Sequence, residues 1–131
     1  MAATLTFLDA TTTGERRAAL RVNLEVPTIT VRELIRTRVF EEVTRYNRDG
    51  RGPYQGLVEP TDLERDLNPV RRLKRRSLDW HEQVEVALAA FESSGFLLLV
   101  DDRQVTSLDE QVAVKPGTEV TFLKLVPLVG G

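Results

Sequence analysis

Apolar and polar residues alternate along Thr4 to Ala10, with Leu5 and Phe7 on one side and Thr4, Thr6 and Leu8 on the other. That period of two is the pattern of a half-buried strand. Thr11-Thr12-Thr13-Gly14-Glu15 interrupts it, and alternation resumes from Arg16 to Val26 through Ala18, Leu20, Val22, Leu24 and Val26. Two such runs across a short glycine-containing loop predict an antiparallel hairpin. Pro27 ends its second strand, because proline has no backbone N–H to donate. The period then changes. Thr30-Val31-Arg32-Glu33 has the hydroxyl and carboxylate of a capping box, and Val31, Leu34, Ile35, Val39, Val43 and Tyr46 follow at helical spacing. The spacing predicts a helix of about four turns, stopped at Asn47-Arg48-Asp49-Gly50.

Arg48 to Gly56 holds Gly50, Gly52, Pro53 and Gly56 and reads as a loop. It lacks the GxxxxGK[ST] pattern and the strand-to-helix setting of a phosphate-binding loop. Thr61-Asp62-Leu63-Glu64 is a second capping match, limited by Pro69, and Asp79-Trp80-His81-Glu82 is a third. Trp80, Val84, Leu88 and Phe91 form one apolar stripe of a second helix, for which Gly95 is the expected C-terminal cap. Phe96 to Val100 is continuously apolar and predicts a strand buried on both faces. Asp101-Asp102 is a turn, Arg103-Gln104-Val105 a short return strand, and Ser107 to Glu110 a single helical turn. Val112-Ala113-Val114 leads into Lys115-Pro116-Gly117-Thr118, a type II turn, and a last strand is predicted over Glu119 to Leu125. Strands on either side of a helix predict an α+β fold, a mixed sheet with helix on one face.

Composition narrows the chemistry. In 131 residues there is no cysteine and one histidine, His81, so disulfides, thiolate sites and a histidine metal cluster are not expected. No acid–base pair or activated nucleophile emerges either, and the chain is expected not to be an enzyme. No apolar run approaches the roughly 20 residues of a membrane span. Met1-Ala2-Ala3 leads straight into alternation, so no secretory leader is predicted and the cytoplasm is the expected compartment. The net charge is −2, and the basic run Arg71-Arg72-Leu73-Lys74-Arg75-Arg76 has no interleaved aromatic residues, so no nucleic-acid partner is assigned. Lysine is scarce: of 18 basic residues only Lys74, Lys115 and Lys124 carry an amine.

The last strand runs into Leu125-Val126-Pro127-Leu128-Val129 and ends on Gly130-Gly131. A terminal Gly-Gly arises by chance in about one chain in 200 and is weak alone. With Val112 to Leu123 before it, however, the chain resembles the β-grasp ubiquitin-like superfamily. The resemblance extends over roughly Ala3 to Asn47 and Gly95 to Gly131. It is nearest to bacterial ubiquitin-like modifiers that accompany E1-like, E2-like and JAB-type peptidase proteins. The molybdopterin-synthase small subunit and the thiamine-pathway sulfur carrier are more distant. The expectation is one β-grasp domain, with a helical insertion at about 48–94 and a flexible C-terminal tail at 126–131.

The resemblance implies that the Gly131 carboxylate is the reacting group. An E1-like enzyme would adenylate it with ATP and Mg²⁺, while the chain itself binds no cofactor. Gly130 and Gly131 lack Cβ and suit a narrow channel, and Leu125, Val126, Pro127, Leu128 and Val129 would guide the arm. Three functions follow. As a modifier, the chain passes through E2-like thioester to an amine on a target protein, with a JAB-type peptidase to remove it. As a sulfur carrier, it bears a Gly131 thiocarboxylate. As a non-covalent module, it acts through the insertion, where Trp80, Val84, Leu88 and Phe91 either lie on the chain's own sheet or form an assembly surface for a homo-oligomer.

Overall fold

The computed structural model describes residues 3–49, 57 and 78–125. The described elements are β1 (Ala3–Thr11), β2 (Arg16–Leu24), β3 (Thr28–Thr30), α1 (Val31–Asp49), α2 (Trp80–Glu92), β4 (Phe96–Val100), β5 (Arg103–Val105), β6 (Gln111–Ala113) and β7 (Glu119–Lys124). The fold is α+β. Among the described residues five strands form a mixed sheet in the order β2-β1-β7-β4-β5, and β3 pairs with β6 in a separate two-stranded ladder. The first and last strands, β1 and β7, run parallel at the centre, and every other pairing is antiparallel. This arrangement is compatible with a β-grasp fold. The chain divides into two compact units, Met1–Leu34 with Phe91–Gly131, and Ile35–Ala90.

In the first unit the alternation read from the sequence sets the core. Leu5 and Phe7 of β1, Leu98 of β4, and Val120 and Phe122 of β7 are all buried. The register places Phe7 beside Val120 and Leu98 opposite Phe122, so these residues share one face. Phe122 makes an edge contact with Phe7 at 5.6 Å and packs on Phe96 at 6.0 Å. Burying each such side chain contributes about 1.5–3 kcal/mol. The β1–β2 ladder slips between Phe7↔Leu20 and Leu8↔Ala18, leaving Ala19 as a bulge.

Four expectations are corrected. Strand β2 stops at Leu24, and of its alternating apolar residues only Leu20 is buried, since β2 is an edge strand. Strand β4 is buried at Phe96, Leu98 and Val100 but only half-buried at Leu97 and Leu99. Ser107 to Glu110 is a β-turn closed by Glu110 N–H to Ser107 O at 3.2 Å, and Asp109 N–H bonds the Ser107 hydroxyl. The residue in the left-handed region after α2 is Ser94, at φ 62°, in place of Gly95. The three-residue β3 was not expected; it pairs Ile29 with Val112.

Both described helices start on the caps read from the sequence. Thr30 Oγ1 accepts the N–H of Glu33 at 3.2 Å, and Asp79 Oδ1 accepts that of His81 at 3.0 Å. In the second unit Ile35, Val39, Val43 and Tyr46 of α1 and Val84, Ala87 and Leu88 of α2 are buried. Arg38 is also buried and donates to Glu42 at 3.2 Å, whose other oxygen accepts the Leu57 N–H at 3.0 Å. Asn47 adds two bonds to the backbone of Leu78, accepting at 2.9 Å and donating at 3.0 Å. These polar contacts tie the chain on either side of the undescribed segment to one helix.

Candidate functional site

The residues expected to carry the chemistry follow β7, so the geometry that matters is where that strand stops. Its last paired residue, Lys124, lies between Thr11 of β1 and Phe96 of β4. The core face of the sheet therefore ends in polar groups. Lys124 Nζ lies 3.9 Å from Asp9 Oδ2, an ion pair with the lysine more than one third exposed and the aspartate nearly buried. Leu125 comes next and is 40% exposed. A leucine left in water at the end of a central strand is a feature that contact with another protein would relieve, although single exposed apolar residues are common. Val126, Pro127, Leu128, Val129, Gly130 and Gly131 lie outside the described residues, as does the basic run Arg71 to Arg76.

The other end of β7 is fixed. Thr118 is buried, its N–H donates to Lys115 O at 3.1 Å across the turn, and Gly117 at φ 81° fits the third position of type II. Asp101 N–H donates to Glu119 O and Asp101 Oδ1 accepts the Glu119 N–H, both at 2.9 Å. Asp101 and Asp102 are themselves left-handed, at φ 48° and 70°, and so form a type I′ turn between β4 and β5.

The stripe Trp80, Val84, Leu88 and Phe91 is divided by the structure. Val84, Leu88 and Phe91 are buried within the chain at 6–8% exposure, so they present no open surface for assembly. Phe91 packs on Phe96 with ring centres 5.8 Å apart. Trp80 alone remains half-buried. It meets Phe40 edge-on at 5.0 Å, stacks with His81 at 3.8 Å, and lies under the Arg36 guanidinium at 5.1 Å. Phe40 and Arg36 were not singled out from the sequence. One turn apart on the solvent side of α1, they were legible only as positions between the buried ones.

Among the described residues no group of three His, Cys, Asp or Glu side chains is placed to hold a metal ion. No helix there is long and apolar enough to cross a membrane. Compared with protein-family models, with curated proteins and with solved structures, the chain has no match.

Proposed function

We propose that the protein is a ubiquitin-like modifier acting in the cytoplasm, with the Gly131 carboxylate as its reacting group. The observation that carries this reading is the position of β7. It is a central strand, anchored at its start by the buried Thr118 and paired on both sides to Lys124, and the chain continues from it through Leu125 to Gly130-Gly131. A body of this kind holds the arm's root firmly while the end reacts in another protein's site.

The chemistry requires that partner. A carboxylate resists attack by thiols and amines because its oxygen is a poor leaving group. In an E1-like enzyme a Gly131 oxygen attacks the α-phosphorus of Mg-ATP and expels pyrophosphate, giving an acyl-adenylate. A cysteine thiolate then displaces AMP to form a thioester. After transfer to an E2-like cysteine, a target amine displaces the thiolate and an isopeptide bond remains. This chain supplies an arm without side-chain bulk at its tip and few amines of its own. Lys124, one of those few, is engaged with Asp9.

The mass of the protein and its adducts from its own cells tests the reading. The expected finding is Gly131 joined to lysines of other proteins, with a JAB-type peptidase returning a free Gly131 carboxylate. A tail carrying one sulfur in exchange for oxygen, and no adducts, would replace this reading with that of a sulfur carrier.

A further inference from the structure

A second surface lies in the Ile35–Ala90 unit and does not depend on the tail. Arg36, Asp79, Trp80, His81, Glu82, Val84 and Glu85 line a cleft of about 300 Å³. That is the lower limit for small-molecule sites, room for one or two side chains. Phe40, 41% exposed, extends the apolar part through its edge contact with Trp80. Tryptophan, arginine and a further aromatic residue in one solvent-facing group is the composition of interface hot spots.

Charge decides what kind of partner fits. Asp79 is committed to the helix cap, but Glu82 and Glu85, one turn apart and both exposed, make no ion pair or side-chain hydrogen bond among the described residues. Among the described residues Arg36 is the one fixed cation on the lining, and its guanidinium lies over the indole. Phosphate backbones and anionic lipid surfaces would be repelled by the two carboxylates. A guanidinium or ammonium gains twice, from the carboxylates and from the aromatic rings.

We propose that this cleft docks a basic segment of a partner protein, inserting an apolar side chain against Trp80 and Phe40 and placing Lys or Arg against Glu82 and Glu85. The partner is held there without covalent chemistry.

Trp80 is the only tryptophan in the chain, so its fluorescence reports on this site alone. The probes are a blocked peptide of alternating leucine and arginine and its leucine–glutamate counterpart, titrated into the full chain. The basic peptide is expected to change Trp80 emission saturably and the acidic one to leave it unchanged. The double variant Glu82→Lys, Glu85→Lys, with unchanged circular dichroism, should weaken binding by about tenfold or more, as loss and reversal of two exposed pairs imply. Deleting Gly130 and Gly131 should leave this binding intact even where it abolishes conjugation. Equal binding of both peptides, or undiminished binding by the double variant, overturns the proposal. So does a Trp80 signal that changes with protein concentration alone, which would assign the cleft to a second copy of the chain.

Discussion

At the start of β7, Thr118 is buried, its carbonyl accepts the Thr6 N–H at 3.1 Å, and Asp101 exchanges two hydrogen bonds with Glu119. At the other end, Lys124 holds Asp9 across 3.9 Å and Leu125 is 40% exposed. The strand starts on the buried Thr118 and short backbone-centred hydrogen bonds, whereas at its end the ladder still pairs Lys124 with Thr11 and Phe96 but the side-chain contacts include a long, partly solvated ion pair. Hydrogen bonds to buried backbone cost much to lose, whereas a partly exposed ion pair contributes little. The difference places the buried anchoring where the strand enters the sheet and the more solvated side chains where it ends.

Substitutions can break that contrast, and their sizes should fall in order. Phe122→Ala removes the ring shared by both ends and should cost about 3–5 kcal/mol in chemical denaturation. A loss under half of that would mean the strand is not held by its core face. Asp101→Ala removes the acceptor for Glu119 N–H and puts a Cβ residue with no side-chain hydrogen bond in the left-handed region, for about 1–2 kcal/mol. Faster amide exchange should be confined to the start of β7; an equal rise at Leu123 and Lys124 would mean that the ends are not independent. Ser94→Gly relieves a φ of 62° and should stabilise by about 0.5–1 kcal/mol, raising the melting temperature. Lys124→Ala should change stability by about 0.5 kcal/mol or less. A larger loss would show that the side-chain contacts at the strand's end matter as much as those at its start.

What could be read in the sequence followed locality. The β1–β2 hairpin, the Thr30 and Asp79 caps and the Lys115-to-Thr118 turn are specified by neighbouring residues, and each forms where it was expected. Strand β3 was missed because three residues carry almost no periodicity and its partner β6 is distant in the chain. Gly95 was the expected cap because glycine tolerates positive φ at least cost, yet Ser94 occupies that conformation. Leu97 and Leu99 looked buried because apolar residues do not say which face is covered. Of the candidate site, the strand and its exposed end were legible. The group of Phe40, Trp80, His81 and Arg36 was not, since it depends on two helices meeting across a long segment.

The central claim is that the end of the chain reacts and the body carries it. The direct test incubates the full chain, and separately the chain lacking Gly130 and Gly131, with its E1-like and E2-like enzymes, Mg-ATP and target protein. Mass spectrometry should find Gly131 in isopeptide linkage to target lysines with the full chain only, while both proteins give the same denaturation curve. No adduct from the full chain, or equal adducts from both, would contradict it.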